Sequence, residues 1–381
     1  VMFDGSMKFP LIAIPLFILA GSIMNSSGIS RRLIAFASAL VGFIKGGLSM
    51  INIATSMFFA EISGSAVADV AALGSILIPA MKKKGYPAAF SAAVTSSSAS
   101  LAIIIPPSIP MIVYAVMAQT SVVQLFVAGI IPGIIGGFLM MLAAYIYAVR
   151  HKLPVEETFN LPNLRKTARE ASLAFLLPFI ILGGIFGGVV TATEGAGLAV
   201  VAALVIGLIY KEFDFKRLYQ AATEGAIQTA SVMLLVAASV LLGEFLTIEQ
   251  IPQKVAESII DFTKNKYAVL LILNVFLLII GFFLHSVAAI ILTVPIVMPL
   301  VNAVGIDPVH FGIIVTLNLA IGQQTPPVAS VLVTACSVAK ADIWDVTRAN
   351  IMFICVLLFL LFLVTYIPAI PMTLVEFFYR S

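Results

Sequence analysis

Apolar residues run along this chain in long stretches separated by short polar knots, and the order of stretches occurs twice. In the first unit an apolar span covers residues 9–24, and a short helix at 28–45 opens on Arg31-Arg32 and closes at Lys45. Two short apolar runs, 48–62 and 66–80, meet at Ser63-Gly64-Ser65 and end on Lys82-Lys83-Lys84. A segment at 87–118 is interrupted by Pro106-Pro107 and Pro110, and a span at 121–149 closes the unit. The pattern returns at a constant offset and without a gap: Pro79, Gly85 and Pro106-Pro107 recur as Pro299, Gly305 and Pro326-Pro327. The second unit therefore reads as a span at 229–246, a short helix at 251–265, runs at 268–284 and 287–300 meeting at His285-Ser286, a segment at 308–339 broken at Pro326-Pro327, and a span at 349–371. The spacing of Val255, Ile259 and Phe262 makes the short helix amphipathic and interfacial. A polar loop (150–172) and two spans, 173–192 and 194–210, join the units.

Runs as short as 48–62 and 66–80 fall below the roughly 20 residues needed to cross a bilayer as a helix. The pairs 48–80 and 268–300 thus read as re-entrant hairpins, with two short tilted spans each as the competing reading. The fold class is an all-α polytopic membrane protein. A duplicated membrane unit with a proline-broken helix in each half is how many secondary transporters build a binding site near the midplane.

Composition agrees. The chain is 61% hydrophobic and 10% charged, with a mean hydropathy of +1.14, whereas soluble domains carry about 25% charge. The net charge of +3 gives no reason to expect nucleic acid, because the basic residues sit in short loops between apolar spans. Cys336 and Cys355 form neither a disulfide framework nor a metal spacing. His151, His285 and His310 are scattered, and no hydrolase or nucleotide-binding motif is present. With loops 25–47, 81–86, 150–172, 211–222 and 340–348 in the cytoplasm, every Lys and Arg is inside except Lys8, Lys254, Lys264, Lys266 and Arg380. The two units then have opposite orientation and form an inverted repeat. The counterpart of the span at 194–210, at the same offset, would fall before position 1, which predicts at least one further span upstream.

Two places in each unit carry candidate chemistry: the hairpin tip and the proline-broken helix. A broken helix frees backbone carbonyls and amides. Carbonyls and hydroxyls suit Na⁺, and exposed helix N-termini suit a carboxylate. The first unit offers the tip Ser63-Gly64-Ser65 and the Ser96–Ser100 run. The second offers Ser286 and the stretch from Thr316-Leu317-Asn318 through Gly322-Gln323-Gln324-Thr325-Pro326-Pro327. Small polar residues also let helices pack closely, so a lone serine is weak evidence. Asp69, beside the first tip, either contacts substrate or ion or caps the hairpin helix, and His285 at the second tip is a candidate hydrogen-bond donor. No arginine lies in the apolar core to hold a carboxylate, so an anion would rest on helix N-termini, hydroxyls, amides and co-bound cations.

The stretches FFAEISGSAVADVAALGSILIPAMKKKGYP, SSSASLAIIIPPS and GQQTPPVASVL resemble the large membrane subunit of TRAP transporters (tripartite ATP-independent periplasmic transporters). Within that family the chain is similar to sialic-acid transporters whose small and large membrane subunits are fused. The resemblance implies a sodium-coupled, elevator-type importer of an organic acid, such as sialic acid, in the bacterial inner membrane, and not an enzyme. It implies two or more co-transported Na⁺ ions, a small membrane subunit, possibly fused upstream, and a periplasmic substrate-binding protein. It divides the chain into a scaffold span and arm helix (1–47), a first transport half (48–120), scaffold spans with loop 150–172 and a second arm (121–265), a second transport half (266–340) and a C-terminal span (341–381). It places one sodium site at Ser63, Ser65, Ala102, Ile105 and Pro107, the last three through backbone carbonyls. A second lies around Gly322, Thr325 and Pro327 with the tip at His285. Phe283 and His285 stand there in place of the serines of the first tip, which leaves the side-chain ligands of that site open. Substrate would lie between the tips, near Asp69, Ser96, Ser98, Ser100 and Ser286. A self-contained sodium/carboxylate symporter is the alternative. A channel and an intramembrane enzyme fit less well, since the ionisable residues are isolated.

Overall fold

A computed structural model describes residues 9–210, 215–263 and 265–379, and the described residues are helical apart from short connections. A 3₁₀ turn, Phe9–Ile12, leads into α1 (Ala13–Ser26), α2 (Ile29–Val41), α3 (Gly47–Ser63) and α4 (Ala66–Lys83). The first broken segment is α5 (Ala88–Ala99), a 3₁₀ turn Ser100–Ile103, a non-helical stretch holding a cis Pro106-Pro107 bond, and α6 (Ile109–Met117). Then come α7 (Val122–Arg150), α8 (Leu161–Phe186), α9 (Ala192–Ile209), α10 (Phe215–Ile248), α11 (Ile251–Phe262), α12 (Lys266–Phe283) and α13 (Ser286–Ala303). The second broken segment is α14 (Pro308–Gly322), a stretch with a cis Pro326-Pro327 bond, and α15 (Ser330–Ala339). Helices α16 (Ile343–Tyr366) and α17 (Ala369–Tyr379) complete the chain. Seven described helices are long and apolar enough to cross a membrane, α7 to α10, α12, α13 and α16.

The duplication is visible in the backbone. Gly85 and Gly305 both take the left-handed conformation, and the helices after the tips start at Ala66 and Ser286. Local chemistry moves several boundaries from where hydropathy puts them. Helix α8 begins inside the expected polar loop, at Leu161, because the Asn160 side chain accepts from the Asn163 amide and Pro162 sits in the first turn, where its missing N–H costs nothing. Helix α10 starts well before 229. The last span begins at Ile343, where Asp342 accepts from the amides of Trp344 and Asp345. It ends at Tyr366, before Pro368, and a further helix follows. Hydropathy alone sees only the apolar middle of each.

The first helical pair closes as a hairpin, α3 packing on α4 and both on α5. The second pair is splayed: α12 packs on α14, while α13 lies against α6, α10 and α11. Gly281 and Gly322 explain the first of these contacts. A Cβ on Gly322 would lie 2.4 Å from the Gly281 carbonyl carbon, so α12 and α14 touch backbone to backbone. Phe36 of α2, Phe58 of α3 and Phe175 of α8 form an aromatic cluster with centroids 5.0–5.7 Å apart, binding the first arm to the first hairpin.

Candidate functional site

The two tips and the two breaks converge on one cavity of about 410 Å³. The tips contribute Ser65, Ala66 and Val67 and their counterparts in the second unit, His285, Ser286 and Val287. The breaks contribute Ile103 and Pro110 and their counterparts Gln323 and Ser330. Helix α10 closes one side with Gln228, Ser231, Val232 and Leu235. Among the described lining residues there is no Lys, Arg, Asp or Glu.

Four helices begin at this cavity: α4, α6, α13 and α15. Their N-cap residues are Ser65, Ser108, His285 and Ala329, and none makes a side-chain capping hydrogen bond to its own helix. The Ser108 hydroxyl instead turns back to the Ile103 carbonyl at 2.7 Å. A helix start carries roughly half a positive charge, so four of them make an electropositive enclosure without a cationic side chain. Such an arrangement of helix starts can hold an anion.

Each tip meets its break. Gly64 has φ +59°, and a Cβ there would sit 2.9 Å from the Pro107 carbonyl oxygen, so the first tip lies directly on the first break. In that break the Leu101 carbonyl accepts from the amides of Ile104 and Ile105 and the Ile103 carbonyl from Ser108. Among the described residues the carbonyls of Ala102, Ile105 and Pro107 receive no such bond. Ser65 and Pro107 are therefore adjacent through Gly64; the side chain of Ser63 lies outside the described residues. At the second break the Val328 amide donates to Phe282, the Gly322 carbonyl accepts from the Thr325 amide at 3.0 Å, and the Thr325 hydroxyl donates to Ile321 at 3.1 Å. Pro327 follows in the non-helical stretch, and His285 lines the cavity from the tip.

Four other residues expected at the substrate do not line the cavity. Asp69 is fully buried in the first turn of α4. Ser96, Ser98 and Ser100 are fully buried in a side-chain network. Ser98 lies 2.9 Å from Ser56 and donates to Asn52, which in turn donates to Thr95. Ser100 and the Ser96 carbonyl both accept from the side chain of Gln324 in the second break. Asn350 donates to Gln324 and accepts from Ser97. The second unit repeats the device with other residues: Asn318, the counterpart of Ser98, donates to Asn274 at 2.7 Å. These polar groups tie broken helices to their neighbours. Sequence reading also passed over Gln228 and Ser231, although polar residues three apart in the apolar span of α10 were a legible signal.

A second, polar cavity of about 540 Å³ adjoins the first, and Gln228 lines both. It lies among α1, α2, α4 and α10, with Arg31 and Glu224 in its wall, towards the loops that the charge pattern assigns to the cytoplasm.

The family model described as "Tripartite ATP-independent periplasmic transporter, DctM component" matches residues 1–370. The isethionate TRAP transporter permease protein of Oleidesulfovibrio alaskensis is 42% identical over 98% of this chain, which spans 59% of that relative's length. The C4-dicarboxylate TRAP large permease of Pseudomonas aeruginosa is 40% identical over 98% of this chain and 88% of its own length. The sialic acid TRAP large permease of Vibrio cholerae is 36% identical over 99% and 88%. Among solved structures, the YdaH transporter of Alcanivorax borkumensis superposes with a TM-score of 0.70 at 16% identity, covering 96% of this chain and 86% of that one, which is a likeness of fold.

Proposed function

Because the chain belongs to the family of the DctM component of tripartite ATP-independent periplasmic transporters, we propose that it is the large membrane subunit of such a system and carries a small organic anion through the cavity between its breaks. It is a multi-pass protein of the bacterial inner membrane, and its relatives are named as permeases, not enzymes. The observation that carries the reading is the convergence of four helix starts on one cavity with no charged side chain among its described lining residues. Relatives are named for isethionate, C4-dicarboxylates, sialic acid and 2,3-diketo-L-gulonate. All are organic anions, and sialic acid is one member of the proposed class.

Sodium is the proposed driving ion. The carbonyls of Ala102, Ile105 and Pro107 with the hydroxyls of the first tip offer oxygen ligands to a hard cation, and Gly322, Thr325 and Pro327 with the second tip offer a second place. Ions bound there would hold each tip on its break and add positive charge beside the anion. The part carrying both tips and breaks then moves against α1, α2, α8, α9 and α10 as the elevator. Coupling needs the loaded and half-loaded forms to differ in that movement, since a ligand shifts an equilibrium only through differential affinity. The proposed partners are a small membrane subunit and a periplasmic binding protein that delivers the anion.

The test is uptake of labelled organic anions into proteoliposomes holding the complete membrane assembly, with and without the binding protein and an inward Na⁺ gradient. Uptake that needs both supports the reading. Uptake that needs Na⁺ alone would make the protein a self-contained symporter.

A further inference from the structure

The cavity is built from register-matched residues of two repeats, yet its two halves are chemically unlike. Where the first break presents Ile103 and Pro110, the second presents Gln323 and Ser330 at the corresponding positions. Where the first tip presents Ala66, the second presents Ser286. At these positions the first unit offers hydrocarbon and the second offers hydrogen-bonding groups.

The polar wall is also unsatisfied. Gln323 is 3% exposed, and among the described residues its Nε2 has no hydrogen-bond partner; the buried Ser330 Oγ, in the first turn of α15, has none there either. A buried amide without a partner is unfavourable, and both residues line the cavity. Neither is needed to bridge the breaks, a task that falls to Gln324, the next residue along.

We propose that Gln323 and Ser330 form the specificity-determining end of the cavity, with Gln323 Nε2 donating to a hydroxyl or keto oxygen that the ligand carries on the first or second carbon from its acid group. The inference rests on the anion-site reading above and narrows it. The acid group sits among the helix starts, the oxygen faces Gln323 and Ser330, and the carbon skeleton lies against Ile103 and Pro110. An unsubstituted acid leaves the Gln323 amide buried and unpaired in the complex. A site built to hydrogen-bond a ligand oxygen discriminates strongly against the analogue that lacks it.

The experiment compares ligands differing by one hydroxyl: isethionate against ethanesulfonate, and lactate against propionate. The complete membrane assembly is reconstituted in lipid nanodiscs in sodium buffer, and apparent affinities are read from thermal stabilisation against ligand concentration. The hydroxylated member of at least one pair is expected to act at about tenfold lower concentration than its partner. Gln323→Met, which keeps the side-chain volume, is expected to bring that ratio within about twofold without moving the weaker member. Ser330→Ala is expected to reduce it in part, and carries the test if the Met variant does not assemble. Stabilisation by all four anions alike, or a preference that survives Gln323→Met, would overturn the inference and leave the anion site standing. No stabilisation by any of them, with cooperative unfolding intact, would overturn the inference, and the uptake test above decides the anion site separately.

Discussion

Gln324 belongs to the second break but its amide is bound in the first. Its Nε2 donates to the Ser96 carbonyl at 2.8 Å and to the Ser100 hydroxyl, and its Oε1 accepts from Asn350 at 3.4 Å. Gln324, Ser96, Ser100 and Asn350 are all fully buried. Gln324→Leu fills the same space and removes every one of these side-chain bonds. Interhelical hydrogen bonds inside membrane proteins contribute about 0.6 kcal/mol on average and up to about 1.7. Three such bonds, with the Asn350 amide left only the more distant Gln324 carbonyl at 3.5 Å, give a loss of roughly 2–4 kcal/mol. Equilibrium unfolding in mixed micelles measures it, and a double-mutant cycle with Ser100→Ala isolates the contact between the breaks. The expected coupling is about 1 kcal/mol. Coupling below about 0.3 kcal/mol would refute the reasoning, because neighbours sharing a buried bond should not be additive. If the two breaks hold Na⁺ as proposed, the variant should also flatten the sodium dependence of uptake.

Four further outcomes follow from the geometry. Ser65→Ala should raise the Na⁺ concentration for half-maximal uptake, whereas Ser98→Ala, turned away from the cavity, should leave it in place and lower stability by about 1 kcal/mol; equal effects on sodium dependence would reject that distinction. Gly64→Ala should lower stability by at least about 1–2 kcal/mol, from the left-handed backbone alone, and reduce uptake through the contact with Pro107; wild-type uptake would show that the tip does not need to sit on the break. Gly322→Ala should prevent α12 and α14 from meeting and lower the thermal midpoint more than Gly305→Ala, where a Cβ meets nothing within 4 Å; a reversed order would contradict the packing. Asp307→Ala removes a side chain that accepts from Val309 and His310 and should cost about 1 kcal/mol, read by denaturant unfolding.

Much of the architecture was legible because bilayer physics makes it so. A backbone that must satisfy its own hydrogen bonds in hydrocarbon becomes helix wherever an apolar run allows, and prolines mark where it cannot. The tips at Gly64-Ser65 and His285, both breaks, and the duplication therefore follow from one-dimensional pattern. Boundaries did not. Asn160 and Asp342 start helices in polar sequence through single side-chain caps, which hydropathy does not register.

The site divided in the same way. Backbone breaks and helix starts are local events, so the residues at the tips and breaks could be named from sequence. Whether Ser96, Ser98 and Ser100 face a ligand or a neighbouring helix depends on rotation about α5, and α5 is buried all round, with no polar face to fix that rotation in advance. Packing against α3, α4, α15 and α16 turns those serines towards Asn52 and Gln324. The same holds for Gln323 and Gln324, neighbours of identical chemistry. Only the path of the chain through the second break points one to the first unit and leaves the other at the cavity. Sequence by itself determined a duplicated helical membrane protein with two broken, oxygen-rich elements in each half. Tertiary structure decided which of those oxygens and amides meet in one enclosure, because that choice rests on contacts between segments of different repeats, far apart along the chain, which local pattern does not encode.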